Sequence, residues 1–89
     1  MLKITTIQES RGDVLLKLEG KIIDQWAALL DGECRAYLRK KKAVYLDCSN
    51  VEYLDGRGVE VLNAFPHSHV TLMSAPALVT ELLQIGGRS

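Results

Sequence analysis

The chain has 89 residues, 47% of them hydrophobic, which is room for one domain whose core buries roughly 60–68% of the unfolded surface. Its 11 Lys and Arg balance 11 Asp and Glu, so no net field draws it to nucleic acid or an anionic membrane, and a neutral partner surface is expected. Its apolar runs fall far short of the ~18 residues of a membrane span. Met1 leads into Leu2-Lys3-Ile4-Thr5-Thr6-Ile7 without the pattern of a secretory signal, so the expected location is the cytoplasm of a bacterial cell.

Leu2, Ile4 and Thr6 alternate with other residues up to the turn signal Ser10-Arg11-Gly12-Asp13. Val14-Leu15-Leu16-Lys17-Leu18-Glu19-Gly20 follows, and the two runs predict a β-hairpin. From Asp24, a residue type suited to cap a helix, Ala27, Leu30, Cys34 and Leu38 recur at helical spacing, with Trp26 and Tyr37 at the edges of the face. Arg39-Lys40-Lys41-Lys42 closes this helix as a solvated end, its cations complementing the free carbonyls. Ala43-Val44-Tyr45-Leu46-Asp47-Cys48 is too short for a helix and rich in strand formers, which predicts a buried central strand ended by Ser49-Asn50.

Asp55 is a suitable N-cap for a helix with Val59, Leu62 and Phe65 on its apolar face, stopped by Pro66. Val70-Thr71-Leu72-Met73 reads as another strand. Pro76, tolerated in a first helical turn, opens a last helix with Leu78, Leu82 and Ile85 on one face and Gly86 as its stop. The order strand, strand, helix, strand, helix, strand, helix predicts a single α/β domain over residues 1–89. About four strands form an at least partly parallel sheet whose faces are covered by three helices in right-handed crossovers, with Trp26, Leu46 and Leu62 in the packing.

The hairpin ending Leu18-Glu19-Gly20-Lys21-Ile22, the strand Val44-Tyr45-Leu46-Asp47-Cys48-Ser49-Asn50-Val51, and Leu54-Asp55-Gly56-Arg57-Gly58-Val59 opening a helix together resemble the STAS domain. That family is named for sulfate transporters and anti-sigma factor antagonists. The tail from Ser74-Ala75-Pro76 through Leu82-Leu83-Gln84-Ile85-Gly86-Gly87 is similar to the family's last helix, so the resemblance covers nearly the whole chain. It implies a STAS-like mixed sheet of about four strands with three flanking helices, no enzymatic activity and no cofactor. The implied partner is a regulatory protein such as an anti-sigma factor kinase, or the ATPase of a transporter, and a homodimer is compatible with it.

In the family, a bacterial antagonist binds its partner unphosphorylated and is released when the Ser or Thr after the motif Asp takes a phosphate. A phosphoryl group brings about two negative charges to a helix N-terminus whose free N–H groups can hold it. Here Gly56 occupies that position, so the hydroxyl is missing, and Ser49 is the alternative phosphosite to consider. The segment from Gly56 to His69 is also short for the family. By the resemblance the partner-binding surface comprises Ser49, Asn50, Asp55, Gly56, Arg57, Gly58 and Glu60.

The residues themselves allow more than one reading. Arg57 is unfavourable beside the positive end of a helix dipole by about 0.3–1 kcal/mol. It either pairs locally with Asp55 or Glu60, or offers its guanidinium to a carboxylate or phosphate on a partner. Asp55 is either an N-cap alone or a functional acid, and Asp47 and Asp55 across a strand-end crevice would make a small-ligand or nucleotide sensor the alternative function. Gly56 and Gly58 let the backbone approach a neighbour closely, and the Lys-Ser/Thr of a phosphate loop is absent. His67-Ser68-His69 supplies two of the four ligands of a structural zinc, so no metal is expected. Cys34 and Cys48 are expected as inert, buried thiols.

Overall fold

The computed structural model describes the backbone of residues 1–86 and the side chains of residues 1–84. The elements are β1 (Leu2–Glu9), β2 (Asp13–Ile22), α1 (Asp24–Arg39), β3 (Ala43–Leu54), α2 (Gly56–Ala64), β4 (Val70–Met73) and α3 (Ala77–Gly86). β1 and β2 form the antiparallel hairpin, β3 pairs parallel to β2, and β4 pairs parallel to β3, giving one mixed sheet in the order β1-β2-β3-β4. This is the predicted class, four strands with three helices. Among the described residues no helix is long and apolar enough to cross a membrane.

The helices do not cover both faces, as the strand and helix alternation led one to expect. β2, β3 and β4 lie side by side in chain order, so both crossovers step in the same direction. Right-handed crossovers that never reverse direction place their helices on the same face. Burial records this: Val14, Leu16, Leu18 and Ile22 of β2 and Val44, Leu46 and Cys48 of β3 are fully enclosed, while Lys17, Tyr45 and Asp47 between them are not. The core lies between that one face and the helix layer, in which α2 contacts both α1 and α3. Leu46 and Leu62 are buried and Trp26 packs against them at the margin, as predicted.

Four local expectations change. β3 does not end at Ser49-Asn50 but runs to Leu54, because two irregularities let it carry extra residues: Lys17 and Glu19 of β2 face Asp47 and Asn50, and Gly20 and Lys21 face Val51 and Tyr53. The cap position of α1 is Ile23, with no side-chain cap, and Asp24 is the first helical residue at φ 47°. Lys42 is not solvated; its ammonium is bound by the Glu9 carboxylate and the Ser10 carbonyl, which ties the end of α1 to the hairpin turn. That contact holds the Glu9 carboxyl below its ordinary range.

The fourth concerns α3. Among its described side chains the buried one is Val79, with Leu82 and Leu83 half-buried and Leu78 exposed, so the face is rotated from the predicted one. Pro76 stands just before the helix, its carbonyl accepting from the Thr80 N–H at 3.0 Å. The helix reaches Gly86, where the described backbone ends, and the expectation for Ile85 as a face residue concerns a side chain outside those described.

Leu46, central in the sheet and fully enclosed, tests the packing. Leu46→Ala is expected to lower the unfolding free energy by about 2–5 kcal/mol, read from the urea midpoint at constant slope.

Candidate functional site

Ile22 and Leu54 are register partners at the ends of β2 and β3. The two chains therefore leave the sheet side by side, one into α1 and the other into α2. The Asp55 N–H donates to the Ile22 carbonyl at 3.3 Å. One Asp55 carboxylate oxygen, Oδ1, accepts from the Gly58 N–H at 2.8 Å, which is the predicted cap of α2. The other, Oδ2, accepts from the Asp24 N–H at 2.9 Å, so one carboxylate serves the starts of two helices. Sequence reasoning missed this second bond, since nothing local to Asp24 announces an acceptor 31 residues away.

Burial, the largest influence on the Asp55 carboxyl, pushes its pKa up. The N–H groups of Gly58, Asp24 and Arg57 and the Arg57 charge outweigh it, and the net holds the group below the usual carboxylate range. Gly58 is buried against β2, and a Cβ there would run into the Ile22 carbonyl oxygen. Its role is close approach, as its residue type predicted. Gly56, the first residue of α2, is exposed, and a Cβ there would meet nothing within 4 Å.

Arg57 is exposed in the first turn of α2, and among the described residues it forms no ion pair, so the expected pairing with Asp55 or Glu60 does not occur. The reason is partly occupancy, since both Asp55 oxygens are taken by backbone N–H groups. Nearby Asp31 is engaged by Arg35 at 3.0 Å. Arg57 lines a shallow groove of about 200 Å3 between α1 and α2, with Asp24, Asp31 and Glu60.

Glu60 also borders a second groove, of about 350 Å3, formed by Tyr53, Gly56, Val59 and Leu82 between α2 and α3. Neither Tyr53 nor Leu82 was expected as a site residue, Leu82 being expected only on the apolar face of the last helix. The irregularities in β3 turn Tyr53 outward, and an irregularity of that kind has no sequence signature. Ser49 and Asn50 are exposed, but within β3 and not in a loop.

Asp47 and Asp55 are not brought together. Asp47 lies mid-strand, on the face away from the helices, with six residues of β3 and roughly 20 Å of rise between it and Leu54. Its carboxylate accepts the Ser49 N–H at 3.0 Å and the Ser49 hydroxyl, and these bonds hold its pKa low. The strand-end crevice of the sensor reading thus lacks one of its two acids. His67 and His69 stand exposed in the turn before β4, the His69 Nδ1 2.8 Å from the Ser68 hydroxyl. Among the described residues no three potential metal ligands come together. Cys34 and Cys48 are free and fully buried, and burial pushes their thiols up to about 12 and about 11.

The family model of the STAS domain matches residues 5–84, a span that includes every residue of the site. The chain belongs to the STAS domain family. Among solved structures it is similar to the anti-sigma factor antagonist SpoIIAA in its unphosphorylated form, with a TM-score of 0.72 and 11% sequence identity over 93% of this chain and 83% of that one. At that identity the likeness is one of fold. Comparison with curated proteins gives no match. Within this STAS domain the helix that begins after the motif Asp is α2, and its first residue is Gly56.

Two substitutions and a pH series test the geometry. Asp55→Ala leaves two N–H groups without their acceptor and is expected to cost about 1–2 kcal/mol or more, whereas Gly56→Ala, facing open space, stays within about 0.5 kcal/mol. Because the Asp55 pKa is lowered on folding, the stability it adds is full above its unfolded value of about 3.9 and is lost as pH falls through the folded one. The stability difference between the parent and Asp55→Asn, measured by urea unfolding, is therefore expected to be larger at neutral pH than near pH 3. The thiols give a third check: native protein is expected to resist a thiol reagent that labels Cys34 and Cys48 rapidly in urea.

Proposed function

We propose that this STAS domain is a non-enzymatic regulatory module that binds another protein through the surface around the start of α2. Asp55, Gly56, Arg57 and Glu60 form its centre, Gly58 sets the backbone beneath it, and Ser49 and Asn50 extend it along β3. The observation that supports this most is Arg57, an exposed guanidinium that forms no ion pair among the described residues, at a helix end that disfavours positive charge. An external carboxylate or phosphate accounts for it better than stability does, because the planar fork is strongest in such a pair.

The partner is a regulatory protein in the bacterial cytoplasm, of the anti-sigma factor kinase type or a transporter ATPase. The first choice follows the antagonist whose fold this chain shares. Regulation by phosphate at the family position is absent, since Gly56 carries no hydroxyl. The output is control of transcription or of transport, according to the partner.

Arg57→Glu is expected to weaken binding to the purified partner by about 30-fold or more, the scale of a disrupted interfacial charge pair, while unfolding free energy stays within about 0.5 kcal/mol. Calorimetry with both variants reads the first and thermal unfolding the second; equal affinity would make Arg57 a bystander. With a partner kinase and ATP, the parent is expected to remain unmodified and Gly56→Ser, whose side chain has space, to take phosphate. Phosphate on Ser49 of the parent would show that the switch has moved along β3.

A further inference from the structure

All-parallel sheets occur almost only where both faces are covered, whereas antiparallel sheets often leave one face to water. In this mixed sheet β2, β3 and β4 are joined by parallel pairs, β1 is antiparallel to β2, and the face away from the helices is bare among the described residues. On that face Leu15, Tyr45 and Met73 form an apolar patch, the last two 38% and 39% exposed, around a shallow depression of about 330 Å3 rimmed by Gln8 and Asp13. Beside it Lys17 and Asp47 are register partners, and among the described residues neither forms an ion pair within the chain.

We propose that this face binds a second copy of the chain, related by a two-fold axis that runs parallel to the strands, midway between β2 and β3. The register selects the axis. Leu15 pairs with Tyr45 and Lys17 with Asp47 across the boundary between β2 and β3. On the outer strands Gln8 and Thr71 lie in the first of these rows, Thr5 and Met73 in the second. Rotation about that axis lays β2 of each copy over β3 of the other. Each Lys17 then faces Asp47 of the second copy and each Leu15 faces its Tyr45, both contacts formed twice. A two-fold axis across the strands instead sets Asp47 against Ala43, Tyr45 or a second Asp47, and leaves it without a cation.

The proposed axis also keeps the two sets of strands aligned, as packed sheets prefer, at about 10 Å, a separation that a Lys side chain can span. A net charge of zero opposes no approach of two copies. Four strands about 4.8 Å apart and about six residues long offer roughly 400 Å2 per copy. A stable interface buries about 800 Å2 per partner, so the dimer is a dissociable one. The face meets the partner surface proposed above only at Ser49, which bonds Asp47, and the inference does not rest on that function.

Sedimentation equilibrium of the whole chain between about 10 µM and 1 mM is expected to show reversible dimerisation with Kd on the order of 0.1 mM. Lys17→Glu and Asp47→Lys are each expected to raise Kd at least ~10-fold, and the double reversal to return it to within ~3-fold, because it only inverts each intermolecular pair. A monomer up to the highest concentration, a dimer indifferent to both reversals, or a double variant as weak as the singles would overturn the proposal. A different protein found on this face of a monomeric chain would overturn it equally. If a reversal unfolds the chain, dilution of the parent followed by amide NMR decides the matter. Shifts at Leu15, Tyr45 and Thr71 support the dimer, and shifts confined to α2 and α3, or none, refute it.

Discussion

The geometry of the site depends on one carboxylate shared between two helix starts. A helix leaves its first N–H groups without partners, and α1 brings no capping side chain of its own, since Ile23 stands at its cap position. Asp55 supplies the acceptor from across the sheet while also capping α2. This is possible because β2 and β3 are parallel neighbours whose last residues, Ile22 and Leu54, are in register. The shared bond also helps explain how Asp24 tolerates a left-handed backbone, which for a residue other than glycine costs roughly 1–2 kcal/mol. Gly58 completes the arrangement by letting α2 approach the Ile22 carbonyl more closely than any side chain permits.

What remains for chemistry at the surface is set by what this junction consumes. Asp55 has both oxygens bonded to helix N–H groups, so it is poorly placed to act as an independent acid, and it meets the Arg57 charge without forming an ion pair with it. Arg57 is left facing outward beside an open Gly56, with Glu60 one turn further along the helix. A partner meeting this surface finds the Arg57 guanidinium, which forms no ion pair among the described residues, bordered by Asp24, Asp31 and Glu60.

Much of this was legible in the residues. Local signals carried the elements: alternation in the hairpin, helical spacing from Ala27 to Leu38, Asp55 as the cap of α2, and Pro66 after it. The quoted runs also resembled the family to which the chain belongs, as the match over residues 5–84 shows. What was not legible is non-local. The extra residues in β3 depend on the partner strand, and Ser49-Asn50 therefore read as an end when they lie mid-strand. The cap of α1 comes from a residue far along the chain, and the face of α3 that is buried is set by α2 and β3 and not by the spacing of Leu78 and Leu82. The coverage of the sheet depends on strand order, which alternation of strands and helices leaves undetermined.

Strand order is also what divides the surface into two independent parts. Because β2, β3 and β4 follow one another without reversal, every crossover helix falls on one face, and α1 and α2 begin at the same end of the sheet. That end gathers two positive helix termini, and the anion that answers them is the protein's own Asp55. Among the described residues the opposite face receives no helix, so Lys17, Tyr45 and Asp47, which sit between core residues in sequence, are displayed together on one surface. A change on one part has no packed route to the other except through the strands themselves. Binding centred on the start of α2 and contacts on the bare face therefore use different residues except at Ser49, whose N–H and hydroxyl bond the Asp47 carboxylate.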